Sequence, residues 1–171
     1  SKLLKNTVGY AGMLIPLYQE AENVRRLLYI QNVCHNGLIK WDLELQKGTE
    51  EFLVPNLIMQ PIVENAVFYS ADMNTGKMEI NISIRKEKER LEIIIQDHGV
   101  GISEERQKEI FRERNHKGQF THVGLFNTRE RIRLNYGEPY DLMLYSNSKG
   151  TKVVITLPLL LEEEEIVLAP G

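Results

Sequence analysis

Two β-rich segments, "KMEINISIRKE" (77–87) and "RLEIIIQD" (90–97), lie either side of the charged run "KEKER" and predict a long hairpin with a solvated turn. No other feature limits the fold so strongly, because a hairpin of this length commits the chain to an antiparallel sheet whose apolar face must be covered. The second strand is almost wholly apolar through "LEIII" and then runs into "QDHGVGI", an acid followed by glycines at alternating positions. A carboxylate there is costly to bury without a partner, so Asp97 either lies at the surface or serves a ligand.

The rest of the chain supplies the cover. Leu17, Ala21, Val24 and Leu28 recur at three- and four-residue steps, which predicts an amphipathic helix from Pro16 to Val33. "LIKWDLEL" alternates Ile39, Trp41, Leu43 and Leu45 against Lys40, Asp42 and Glu44, the period of a half-buried strand. A second helix is expected from Pro61 to Tyr69, with Pro61 tolerable in its first turn. A short helix should run from Ser103, a suitable N-cap, through Phe111. The polar stretch "RERNHKGQFTH" that follows has no apolar period and reads as a lid. "GLFNTRERIRLNYG" predicts a helix with Leu125, Thr128, Ile132 and Tyr136 on one face and Gly137 as its C-cap. "YDLMLYS" and "TKVVITLPL" close the domain as a hairpin around "NSKG". The expectation is an α+β, two-layer sandwich: a mixed, mostly antiparallel sheet with helices on one face.

A chain of 171 residues is most simply one domain, large enough to hold a core without staples. The single cysteine, Cys34, makes no internal disulfide, and no apolar run approaches the ~20 residues that cross a bilayer. A net charge of -3 supplies no general basic field, so nucleic-acid binding is not expected. The tail "EEEEIVLAPG" is an acidic, solvated segment.

Three constellations carry chemistry. A semi-buried carboxylate bonds the exocyclic amino group of adenine and repels the carbonyl of guanine, which makes Asp97 a candidate adenine reader; Gly99 and Gly101 then leave room for a flat ring. The competing reading is an ordinary turn after a strand, in which Asp and Gly are common. In "QPIVENA", Glu64 and Asn65 lie about 100° apart on a helix, and Asn65 shares its face with Tyr69. An Asn amide oxygen suits Mg²⁺ beside nucleotide phosphates, and Glu64 could orient or deprotonate an attacking group, although a polar surface stripe would look the same. In "HVGLFNTRERI", Gly124 opens a helix whose free amides and positive dipole end suit phosphate, with Asn127, Arg129 and Arg131 as further donors. Against this stands a solvated helix in which Arg129 and Arg133 pair with Glu130 or Glu138.

Taken in order, "QPIVENAVFYS", "DHGVGI" and "VGLFNTRERIRLNYG" resemble the N box and the two glycine boxes of the GHKL ATPases, which use the Bergerat nucleotide-binding fold. "EIFRE" is similar to the F box of histidine kinases, and "VPNLIMQPIVENA" resembles the LytS/YehU-type sensor histidine kinases. The likeness runs from about Leu14 to Leu159. It implies a domain 15–159 that binds ATP and Mg²⁺, preceded in 1–14 by the remnant of a dimerisation and phosphoacceptor helix and followed by the acidic tail 160–171. It also implies autophosphorylation of an upstream histidine within a homodimer, and transfer to the receiver domain of a response regulator. The resemblance places such a domain on the cytoplasmic side of a sensor whose membrane contact lies in segments outside this sequence. By the same resemblance Asn65 matches the Mg²⁺ asparagine, Asp97 the adenine-binding aspartate, and Gly99 and Gly101 the first glycine box. Gly124 matches the last glycine of the second box, with His122, Leu125, Asn127 and Tyr69 around the nucleotide and Glu64 polarising the incoming histidine.

Three departures from the family pattern stand out. His122, Val123, Gly124 and Leu125 occupy a G-x-G-L motif, so one glycine is lost; Phe68 stands where relatives often carry a lysine; and Pro61 stands where many GHKL ATPases place a catalytic glutamate. None of His35, His98, His116 and His122 lies in the P-H-F-x-x-N context of the phosphoacceptor. These departures leave two other expectations open: a nucleotide-sensing or scaffolding domain without transfer, and a GHKL-type serine kinase.

Overall fold

A computed structural model describes residues 12–112 and 122–162. The hairpin forms as predicted. β4 (Met78–Glu87) and β5 (Arg90–Asp97) pair antiparallel from Ile80 opposite Asp97 to Glu87 opposite Arg90. "KEKER" is mostly strand, and only Lys88 and Glu89 remain as the turn, with Lys88 at φ 56° in the left-handed region that two-residue hairpin loops favour.

β5 is the middle of a five-stranded sheet ordered β2-β4-β5-β7-β6, with β2 (Ile39–Leu45), β6 (Leu142–Asn147) and β7 (Gly150–Pro158). β2 runs parallel to β4, and the other three pairings are antiparallel, which gives the mixed, mostly antiparallel sheet expected. A parallel neighbour needs a crossover, and here the β2–β4 connection carries a helix.

Because side chains alternate along a strand, Leu91, Ile93, Ile95 and Asp97 share one face with Ile80, Ile82, Ile84, Val153, Ile155 and Leu157. That face is buried under α1 (Leu17–Cys34), α2 (Gln60–Tyr69), α3 (Glu104–Ile110) and α4 (Val123–Tyr136). α1 contributes Leu17, Ala21, Val24 and Leu28, as its periodicity predicts; α4 contributes Leu125, Thr128 and Ile132. On the opposite face Glu92 is held between Arg85, at 2.7 Å, and Arg90.

The caps follow the sequence closely. Ser103 Oγ accepts the Arg106 amide at the start of α3, and Gly137, at φ 66°, ends α4 by donating its N–H to the Arg133 carbonyl. Two strands were not anticipated. β1 (Leu14–Pro16) and β3 (Leu53–Pro55) form a separate antiparallel ribbon, each three residues long and too short to show a period. The boundary expected between residues 14 and 15 falls inside β1, and Leu160, expected in the tail, accepts a backbone bond from Leu53. The expected lid lies outside the described residues over 113–121, as do residues 1–11 and the tail beyond Glu162.

Candidate functional site

At the end of β5 the Asp97 side chain turns inward under the helices and is only 5% exposed. Its Oδ1 accepts the Gly99 N–H at 3.0 Å, and the Thr151 backbone, directly opposite in β7, donates to the same carboxylate. Burial pushes the Asp97 pKa up, although these amides and the neighbouring His98 pull the other way. The two glycines are fixed by the protein itself rather than by space left for a ring. A Cβ on Gly99 would lie 2.3 Å from the Tyr69 carbonyl oxygen, and one on Gly101, at φ 78°, 1.8 Å from that of Asn147. The turn is thereby clamped between the end of α2 and the end of β6.

α2 is set in place by a residue that no sequence motif singles out. Glu20 of α1 is 1% exposed, and its two carboxylate oxygens accept the N–H groups of Leu57 and Met59 at 3.1 Å each, just ahead of α2. Leu57 has φ 60°, so successive amides point inward and form a small anion-holding loop. Burial raises the Glu20 pKa against the pull of those amides and of Arg131, whose Nη2 donates to the Asn56 carbonyl oxygen at 2.7 Å. One buried carboxylate therefore joins α1 to the start of α2, with α4 bound to the same loop. Glu20 could have been found as the one acid among the face positions that α1 turns to the sheet.

From α2, Asn65 and Tyr69 face α4. Asn65 Nδ2 is buried with no hydrogen-bond partner, and a Cβ on Gly124 would meet Pro61 Cβ at 3.0 Å and Asn65 Nδ2 at 3.8 Å. Glycine at 124 thus lets the first turn of α4 approach the asparagine. His122, the N-cap of α4, makes no capping bond with its side chain; its ring stacks on Tyr69 at 4.8 Å between centroids and 21° between planes. His122 Nδ1 is also buried without a partner, and burial, with the Arg106 charge, holds the imidazole pKa down at about 4.

Asn65, Tyr69, Asp97, His122 and Leu125, all predicted from sequence, line a cavity of about 20 Å³, room for about one water molecule. Ile62, Ala66, Ile95, Ile102, Thr151 and Val153 complete the lining and were not singled out. Most are simply core residues, indistinguishable by type; Thr151 carried a signal, a polar residue heading an apolar strand.

Other expected members fall elsewhere. Glu64 is exposed and accepts a bond from Gln60 Nε2 at 2.9 Å, while Asn127 is exposed on α4. Arg129 and Arg131 do not face the cavity as phosphate donors. Arg129 lies over the Phe111 ring at 4.4 Å and pairs with Asp141, as Arg133 does, so the arginine partner is Asp141 rather than Glu130 or Glu138. Phe68 is 72% exposed. His98 is bonded through Nε2 to Asn81 Oδ1, and Asn81 in turn to Asp42 across the helix-free face. No cluster of three or more His, Cys, Asp or Glu side chains suited to a metal occurs among the described residues. No helix among them is long and apolar enough to cross a membrane.

Residues 53–161 match the family described as histidine kinase-, DNA gyrase B-, and HSP90-like ATPase. The chain is 33% identical over 157 residues to the sensor histidine kinase YesM of Bacillus subtilis (strain 168), covering 91% of this chain and 26% of that protein. It is 24% identical over 161 residues to the sensor protein kinase HptS of Staphylococcus aureus (strain USA300), covering 93% and 31%. The chain thus spans about a quarter to a third of the length of these relatives. Among solved structures, the nucleotide-free catalytic domain of the histidine kinase ThkA superposes with a TM-score of 0.67 at 18% identity, covering 86% of this chain and 95% of that one.

Proposed function

The chain belongs to the histidine kinase-, DNA gyrase B- and HSP90-like ATPase family, a nucleotide-binding family, and from that premise we propose that it is the catalytic domain of a sensor histidine kinase. In this reading the domain binds ATP with Mg²⁺ and transfers the γ-phosphoryl group to a histidine on a helix upstream of residue 14. That helix also forms the homodimer, and the phosphoryl group passes onward to a response-regulator receiver domain. The observation that carries the reading is the meeting of Asp97, a carboxylate 5% exposed, with Asn65, whose buried Nδ2 has no partner, on the wall of one cavity.

Asp97 accepts the exocyclic amino group of adenine; the amino donor replaces water lost on burial, whereas the guanine carbonyl would face a negative charge. Thr151 and the clamped Gly99 turn hold the carboxylate in its rotamer. Asn65 fits a hard-cation role through its amide oxygen, since Mg²⁺ takes few protein ligands and completes its shell with phosphates and water. Such an ion neutralises charge developing on the transferred phosphoryl group. The close approach of Gly124 to α2 sets the first amides of α4 beside Asn65, where they can receive phosphate oxygens. Glu64, one residue before Asn65, takes the role of polarising the incoming histidine in this reading, and its exposure on α2 supports it.

Titration calorimetry with ATP and GTP, each with and without Mg²⁺, tests this function. Selective ATP binding strengthened by Mg²⁺ is expected; equal affinity for ATP and GTP would refute the role of Asp97. Phosphotransfer is then measured on a chain extended to include the upstream helix, and radiolabel on serine rather than histidine would overturn the kinase class.

A further inference from the structure

His122 occupies a position where the family pattern has glycine, and its ring fills space that the nucleotide reading requires to be open. The cavity beside Asp97 holds about 20 Å³, whereas adenine has ten heavy atoms, so a base reaches the carboxylate only after a lining side chain moves. Most of the lining is fixed. Ile62 and Ala66 lie within α2, Ile95 and Val153 within central strands, and Leu125 is 2% exposed in the core.

His122 differs from these in three respects. It stands at the N-cap of α4, where its carbonyl accepts the Leu125 and Phe126 amides but its side chain caps none, so the ring is not tied to the helix end. Its Nδ1 is buried without a partner, so the ring regains a hydrogen bond when it turns toward water. What holds it inward is the stack on Tyr69, at 4.8 Å and 21°.

We propose that His122 is an affinity-determining plug of the nucleotide site: stacked on Tyr69 it closes the base pocket, and a purine enters when the imidazole swings out. The proposal rests on the nucleotide reading of the cavity. Affinity in such an arrangement is reduced by the fraction of molecules in the open state, so removing the plug tightens binding without adding a contact. The ring is neutral over the physiological range, because burial and the Arg106 charge hold its pKa near 4, and it therefore offers no charge to phosphate.

The test uses the chain as it stands, titrated with ATP and with a fluorescent adenine nucleotide in the presence of Mg²⁺, in wild type, His122→Gly, His122→Ala and His122→Phe. Thermal unfolding without nucleotide establishes that each is folded, and His122→Ala replaces His122→Gly should the glycine loosen the start of α4. Opening the pocket should raise the association rate and the affinity about tenfold in His122→Gly or His122→Ala, while His122→Phe, which keeps the stack, should bind as weakly as wild type. Unchanged or weaker binding in the small variants, or His122→Phe binding as tightly as His122→Gly, would overturn the plug alone. Failure of all four to bind ATP would overturn the nucleotide reading and the plug with it.

Discussion

At the scale of single residues, Asp97 joins a stability liability to the recognition role proposed for it. Its folded pKa lies above the ordinary value because burial penalises the charge, so its contribution to stability is full below about pH 4 and is lost as the pH rises through the folded pKa. At neutral pH the buried charge is therefore a cost. Asp97→Asn removes that cost and keeps an acceptor for the Gly99 amide, while its single oxygen serves the Thr151 amide less well, so the two effects offset and the unliganded variant should unfold close to the wild-type temperature. Its affinity for ATP should nevertheless fall by about 1–3 kcal/mol, the usual cost of spoiling a buried hydrogen bond, as read by calorimetry. A destabilised variant with unchanged ATP affinity would reverse the assignment. Asn65 is the complementary case: its buried Nδ2 has no partner within the protein.

At the scale of elements, the site depends on how α1, α2 and α4 are fastened to one another and to the sheet. Glu20 fastens the first two, its oxygens filling the amides of Leu57 and Met59. Glu20→Gln leaves at least one of these amides facing a donor rather than an acceptor, which should cost about 1–3 kcal/mol in urea unfolding. Because α2 carries Asn65, ATP affinity in Mg²⁺ should fall as well. At the other end Asp141, just before β6, fastens α4 through Arg129 and Arg133, both at 3.1 Å. Partial burial raises the Asp141 pKa, but the two guanidinium groups and the Leu142 amide outweigh it and hold the value at about 2. A depressed carboxylate stabilises the fold above its unfolded value, near 4, and loses that contribution as the pH falls toward 2. The melting temperature of wild type should therefore drop across pH 4 to 2 more steeply than that of Asp141→Asn, which lacks this titration.

At the scale of the whole molecule, ATP should couple to global stability because the cavity draws on α2, β5, β7 and α4 together. Ligand at a hundredfold excess over Kd adds about 2.7 kcal/mol, which in a domain of this size is a rise in melting temperature of roughly 5–10 °C. GTP at the same concentration should give no comparable rise. Much of this architecture is legible along the chain because hydrophobic period, turn residues and caps are local: the β4–β5 hairpin, the α1 and α4 faces, Ser103 and Gly137 follow from neighbours a few residues apart. Asp97 and Asn65 stood out for the same reason, as polar residues in apolar surroundings. The β1–β3 ribbon has no such signal, since three-residue strands exist only by pairing with one another. The partners of Arg129, Arg131 and Glu20 lie 12 to 75 positions away and were settled by helix packing, which turned two expected phosphate donors into fasteners. Sequence alone determined which residues could make a nucleotide pocket; tertiary packing decided that Gly99 and Gly101 serve backbone contact and that His122 stands in the cavity, because these depend on distances between segments that no local pattern encodes.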